Sequence, residues 1–406
     1  MPTNTPIHIL WHWITLGPYH FARMAAIARQ PGVRLTVVES TSRDDHDWRR
    51  ESSSEQFQLV TLANEPLSRD THRRVSRAYL GSLCDAVPDL VVESGYAEIH
   101  SFHNLLRYRG LHPEVRTLLW SETTQWDHKR VPVLERLKKL IVGEFNGALV
   151  AGGPHAEYMK RLGLEQESIQ IVGNCVDNDF FSREVAKVRG TPKENSTKGR
   201  PYFLYVGRFI PEKNLPFLVR SYARYREAAG NDAIDLVLVG SGPEEAPLRS
   251  LVEGAKVSGM AFVGTRQVEE LPKFYASACC FVLPSACEPW GLVVNEAMAS
   301  GLPVLASKAC GCAQDLVVPG KTGYVFSPDA ESELAELMQR IATHHQERTE
   351  MGRAAQEQVK SLHVDLYAGR VVQHVQKIVN QPARSGGGGF RTALLRHLTG
   401  AMVPFF

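Results

Sequence analysis

The stretch Cys280–Ala306 reads CFVLPSACEPWGLVVNEAMASGLPVLA. Cys280 to Leu283 are continuously apolar, as in a strand buried on both faces. A loop follows, and then a helix rich in small apolar residues (Ala297, Met298, Ala299), which reads as buried. Val304-Leu305-Ala306 returns as a strand. Strand, loop, helix and strand in this order make one unit of a parallel α/β sheet.

The same alternation extends upstream. Tyr202–Val206 reads as a strand, Leu215–Ala228 as a helix and Ile234–Val239 as a strand, with Ala261-Phe262-Val263 as a further strand. Earlier still, Ile7–Trp11, Val33–Val38, Leu90-Val91-Val92, Thr117–Trp120 and Gly147–Val150 read as strands. Phe21–Arg29 and Leu134–Phe145 read as helices. Between the two series, Lys187–Arg200 is polar, with Gly and Pro, and is expected to be an exposed loop at or just after a domain boundary. The expected fold class is α/β, with two Rossmann-like doubly wound domains in tandem. Residues 1–180 form the first and 181–365 the second. A helix at 366–380 is expected to pack back toward the first, and a Gly-rich break and apolar tail occupy 381–406. Two facing domains of this kind bind ligands in the cleft at the carboxyl ends of their strands.

Composition narrows the function. Basic residues number 46 and acidic residues 44, a balance that asks for no nucleic acid. No run approaches the ~20 apolar residues of a membrane span. The N-terminus lacks the basic and apolar regions of a signal peptide, so a cytoplasmic location is expected. The 7 cysteines are scattered without paired C-x-x-C spacing, which argues against a disulfide framework or a zinc site.

Three motifs sit at expected strand ends. Gly207-Arg208-Phe209-Ile210-Pro211-Glu212-Lys213-Asn214 follows a strand and opens a helix. Gly207 permits a tight turn. Arg208 and Lys213 set two cations beside a helix N-terminus, a suitable place for a diphosphate. Val239-Gly240-Ser241-Gly242-Pro243 is a second turn where backbone can approach a ligand, although a bare turn would read the same. In the third, Glu288 lies in a loop and Glu296 one to two turns into the next helix. Carboxylates accept hydrogen bonds from vicinal hydroxyls, so two of them suit a ligand with two hydroxylated rings. The helix N-terminus between them, near Gly291, Leu292 and Val293, can hold the phosphate that joins those rings. The plainer reading is surface charge: two solvated cations in the first motif and solvated glutamates in the third.

The third motif resembles the E-x7-E signature of retaining glycosyltransferases of family 4, which have the two-domain GT-B architecture. The resemblance continues through Tyr205–Asn214, Val239–Pro243, Phe262-Val263-Gly264, Glu270-Leu271 with Tyr275, Phe281–Ser285 and Gly320–Tyr324, covering about Pro201 to Pro328. It implies that Arg208 and Lys213 bind the donor diphosphate, Glu288 contacts the transferred sugar and Glu296 holds the ribose. Backbone at Val263 and Gly264 would read the base, with Gly207, Gly240 and the amides of Gly291, Leu292 and Val293 lining the donor. The implied reaction transfers a hexose-like sugar from a UDP- or GDP-sugar to an acceptor hydroxyl, with retention and without a metal. The acceptor would be a sugar, polyol or lipid-linked group, in glycan, glycolipid or bacterial cell-envelope synthesis. A sugar-nucleotide epimerase or phosphorylase on the same fold, and an inactive sugar-nucleotide-binding protein, are the competing readings.

The first half departs from the family's pattern. The loop after the first strand keeps Gly17 but continues Pro18-Tyr19. Where many members place a histidine, this chain has Leu119–Gln125; Glu122 takes that place, and His128 lies six residues on. Asp45-His46-Asp47 resembles a metal-binding D-x-D but reads as a polar loop, and His100 and His103 read as structural or surface residues. Residues 129–140 are basic and amphipathic. They suit either a peripheral membrane contact or a helix packed on the sheet. The apolar tail at 390–406 carries the same two readings.

Overall fold

The computed structural model describes residues 5–43, 53–96, 98–189, 201–381 and 395. Asp45-His46-Asp47, the tail apart from Leu395, and positions 190–200 of the expected boundary loop lie outside them. Lys187 and Arg189 end the helix Asn178–Arg189 rather than opening a loop. The chain divides into two units. One comprises Met1–Gln125, Lys129–Asn174 and Val364–Phe406; the other comprises Trp126–His128 and Cys175–His363.

The first unit holds a parallel sheet of seven strands: β1 Ile7–Trp13, β2 Val33–Glu39, β3 Gln58–Thr61, β4 Leu90–Ser94, β5 Arg116–Ser121, β6 Gly147–Val150 and β7 Ile169–Ile171, in the order β3-β2-β1-β4-β5-β6-β7. Helices cover it, so the central strands are buried on both faces, as their apolar runs require. β3 and β7 are short edge strands whose sequences carry no such run. The helix Val364–Val379 packs on the helix Pro18–Ala28, and its His374 Nε2 meets the carbonyl of Ser168 at 3.2 Å. Leu395 is buried in the core of the same unit.

The second unit holds six parallel strands: β8 Tyr202–Val206, β9 Asp235–Val239, β10 Met260–Gly264, β11 Ala278–Leu283, β12 Val304–Ser307 and β13 Gly323–Phe326, in the order β10-β9-β8-β11-β12-β13. The chain runs outward from β8 through β9 to β10, then returns to begin β11 on the other side of β8. Among the described residues, no helix is long and apolar enough to cross a membrane.

Candidate active site

The reversal between β8 and β11 is a topological switch point. At such a point, outside the carboxyl ends of the strands, open α/β sheets bind ligands. Gly207, Arg208 and Lys213 lie in the loop after β8, and Gly240 lies just after β9. Val263 and Gly264 end β10, while Glu288, Gly291, Leu292, Val293 and Glu296 follow β11. All of these therefore gather at one end of one sheet. Gly17 and Glu122 belong to the other unit.

Two glycine turns interlock there. A Cβ on Gly240 would sit 1.9 Å from the carbonyl oxygen of Gly207, and one on Gly242 would sit 2.4 Å from that of Phe209. The Phe209 amide donates to the Ser241 carbonyl (2.8 Å), and the Glu244 amide donates to that of Phe209 (3.0 Å). The sequence suggested that Gly240 leaves room for a ligand; here the close neighbour is the β8 loop itself. The interlock fixes the backbone on both sides of Arg208, whose side chain is exposed. The buried Tyr205 hydroxyl donates to the Arg208 carbonyl at 2.9 Å. Burial pushes the Tyr205 hydroxyl well above the usual phenol range, so it remains a donor.

Lys213 ends a single 3-10 turn, Pro211–Lys213. Asn214 then adopts a left-handed conformation (φ 53°) and starts the helix Leu215–Ala229. This sharp reversal brings Lys213 Nζ onto the Glu288 carboxylate. The two loops are also stitched through backbone, the Ala286 amide donating to the Glu212 carbonyl at 2.8 Å. Ser285 Oγ approaches the same Glu288 oxygen at 3.4 Å, and Glu288 is only 8% exposed. A cation and a carboxylate thus share one nearly enclosed place, a pairing that limits the cost of burying either. Beside them the Cys287 thiol donates to the Asp127 carbonyl at 2.9 Å. Burial, with Asp127, Glu288 and Glu212 nearby, pushes this thiol up, so it is no thiolate nucleophile.

Gly291 takes φ 101° immediately before the helix Leu292–Ala299. A Cβ there would approach Leu283 Cδ2 to 2.9 Å, so both backbone and space require glycine. The amides of Leu292 and Val293 begin this helix, where no carbonyl one turn back within the helix can accept from them. Glu296, in its second turn, is 0% exposed, and Tyr275 Oη donates to it at 2.7 Å. The structure departs here from the reading of two glutamates opening on one cleft: Glu288 lies in the loop tied to the β8 loop and keeps a little exposure, while Glu296 is enclosed. Tyr275 appeared in the sequence only as one of the ordered family positions. Nothing in the local pattern pairs it with a carboxylate 21 positions away.

In the first unit, Gly17 caps the helix Pro18–Ala28 with φ −90°, a conformation open to any residue. Glu122 follows β5 and accepts from Asn174 Nδ2 at 2.9 Å, half-buried, while His128 is exposed. His100 is buried, stacked on His72 at 4.8 Å between ring centroids. A network that sequence reasoning missed crosses β1, β2 and β4. His12 Nδ1 meets Glu93 at 2.8 Å and its Nε2 meets Ser40 Oγ at 2.9 Å, while Tyr79 donates to Glu93; all four are buried. Among the described residues, no group of three His, Cys, Asp or Glu side chains is arranged to hold a metal.

Residues 190–358 match the family model described as "Glycosyl transferases group 1". The chain is 34% identical to the Arabidopsis thaliana sulfoquinovosyl transferase SQD2 over 221 residues, 52% of this chain and 39% of that protein. It is 37% identical to a GDP-mannose-dependent alpha-mannosyltransferase of Mycobacterium tuberculosis over 155 residues, 36% of this chain and 38% of that one. The chain thus spans well under two thirds of the length of these curated relatives. In structure it is similar to the sucrose-phosphate synthase of Thermosynechococcus elongatus, with a TM-score of 0.71 and 21% identity over 91% of this chain and 98% of that one. That likeness takes in both units and shows the fold, the two-domain GT-B architecture.

Proposed function

From the match of residues 190–358 to the family model of group 1 glycosyl transferases, we propose that this protein transfers a sugar from a nucleotide-diphosphate sugar to an acceptor hydroxyl with retention of configuration. The observation that carries the reading is the meeting of Lys213 with Glu288 at the switch point, beside the N-terminus of the helix Leu292–Ala299. Lys213 and Arg208 take the diphosphate, with the Leu292 and Val293 amides at the phosphate or sugar. Glu288 accepts hydrogen bonds from sugar hydroxyls. Glu296, aligned by Tyr275, serves the ribose, and the end of β10 at Val263 and Gly264 lies against the base.

In the reaction, the acceptor oxygen forms a bond to the anomeric carbon while the bond from that carbon to the phosphate oxygen breaks. The acceptor proton passes to the departing phosphate on the same face. The electrostatic task is to stabilise charge growing on the leaving diphosphate, which Arg208, Lys213 and the helix amides perform without a metal. Glu122 is the acceptor-side polar contact in this reading. The acceptor is a sugar, a polyol or a lipid-linked group reached at the membrane surface. The test is nucleoside diphosphate release from the purified protein across UDP- and GDP-sugars, with and without acceptor extracts. Donor-dependent release supports the reading. Tight donor binding with no release under any condition overturns it in favour of a binding protein.

A further inference from the structure

The helix Pro132–Val142 carries one apolar stripe, Val133, Leu134, Leu137, Leu140 and Ile141, which fall on one side at 100° per residue. The stripe meets two environments. Leu137 and Leu140 pack against the first unit's core, and Ile141 and Val142 are part of it. The first turn overhangs that core. Val133 is 70% exposed, Leu134 51% and Val131, just before the helix, 45%. Pro132 is exposed as well, so four consecutive apolar residues face solvent.

Charge surrounds this tip on one sign. Residues 129–140 contain five cations and a single carboxylate, Glu135. That carboxylate is turned inward: Lys138 Nζ lies 2.8 Å from it and Tyr158 Oη 2.9 Å. Arg130 is also occupied, stacked over the Tyr158 ring at 4.4 Å and donating to the Gln125 carbonyl at 2.9 Å. These contacts hold the helix in place. Lys129 and Arg136 are exposed near the tip, and Lys139 is exposed farther along the helix. An apolar tip flanked by cations fits neither water nor a neutral protein face. It fits the boundary of a lipid bilayer that carries negative headgroups: aliphatic side chains enter the acyl region, and lysine and arginine reach back to phosphates.

We propose that Val131–Leu134, with Lys129 and Arg136, is a docking surface for an anionic lipid membrane. It names the surface behind the membrane location given above, and as an account of acceptor access it rests on that reading. The interaction is reversible, because so short an insertion gives only a peripheral hold.

The test is co-sedimentation of the full chain with vesicles of phosphatidylcholine alone or mixed with phosphatidylglycerol, in the absence of any donor. Binding is expected to the mixed vesicles, to weaken in about 0.5 M NaCl through screening, and to be much weaker for phosphatidylcholine alone. Val133→Ser/Leu134→Ser changes only exposed side chains and is expected to weaken binding at least about tenfold, each aliphatic contact being worth roughly that factor. Lys129→Glu/Arg136→Glu is expected to do likewise. The proposal is overturned by parent-like binding of the serine variant, by equal binding to both vesicle types, or by a dimer that the serine variant dissolves while neither protein binds vesicles. Nucleoside diphosphate release in solution is read separately. Absence of vesicle binding by the parent, with release intact, fails this inference alone, whereas vesicle binding by the parent with no release fails the transferase reading alone.

Discussion

Tyr275 Oη lies 2.7 Å from Glu296 Oε2, and both side chains are closed to solvent. A carboxylate enclosed in this way depends on its donors, because water is not there to replace them. Tyr275→Phe keeps the ring, which packs edge-on against Phe181 at 5.8 Å, and removes only the hydroxyl. The expected cost is about 1–3 kcal/mol of stability, seen as a lower midpoint in chemical denaturation. With Glu296 less firmly held, the donor KM should rise more than kcat falls. A midpoint equal to that of the parent would show that the hydroxyl does not support Glu296.

Lys213→Ala removes the cation facing Glu288 and, in the proposed reaction, one of the two side-chain charges on the departing diphosphate. Turnover should fall by about 10²–10³, the usual effect of deleting one preorganised electrostatic contact. The change leaves Glu288, 8% exposed, without its cation and should lower stability, so turnover is compared on protein whose circular dichroism spectrum matches the parent. Near-normal nucleoside diphosphate release from a folded variant would refute the assignment.

The second unit was more legible than the first, for a physical reason. Strands buried on both faces must be apolar throughout, so β8, β9, β11 and β12 stand out as runs such as Tyr202–Val206. Glycines also announce the turns, because Gly207, Gly240 and Gly291 take φ values of 155°, 139° and 101°. What the turns do is less visible. Gly240 meets the carbonyl of a residue 33 positions earlier, a contact that sequence spacing does not encode. In the first unit the edge strands β3 and β7 are short and partly polar, so their period was lost. The network of His12 and Glu93 joins residues 81 apart on neighbouring strands, and neither stands in a motif. The outward half of the helix Pro132–Val142 also needed the structure: its stripe is continuous in sequence, and only packing shows where the core stops beneath it.

The turn interlock predicts opposite results for two glycine-to-alanine changes. At Gly240 the new Cβ would meet backbone at 1.9 Å, in a φ region unsuited to alanine. Backbone atoms tied into hydrogen bonds on both sides cannot give way, so a loss of at least about 3 kcal/mol is expected from overpacking and strain together. Gly81 lies inside the helix Arg69–Ala86, and a Cβ there meets nothing within 4 Å. Gly81→Ala should stabilise by about 0.5–1 kcal/mol through helix propensity. Thermal unfolding of both variants checks the pair, and equal melting temperatures would contradict the interlock.

The buried imidazole of His12 predicts how stability varies with pH. Burial alone would push it down, but the Glu93 carboxylate, through its charge and hydrogen bond, outweighs burial and raises it above the ordinary value of 6.5. The folded state therefore holds this proton more tightly than the unfolded chain. The stabilisation is fully present below the unfolded pKa, about 6.5, and is lost as pH rises through the higher folded value. His12→Gln retains polar hydrogen bonding without a proton to bind, so it should cost more stability in urea unfolding at about pH 5.5 than at about pH 8.5. Glu93→Gln removes the charge that raises His12, and burial should then favour the neutral imidazole. Acidification through the histidine range would destabilise that variant relative to the parent. An identical penalty at both pH values for His12→Gln would mean that the pair is neutral in the folded protein, with a hydrogen bond but no ion pair joining β1 to β4.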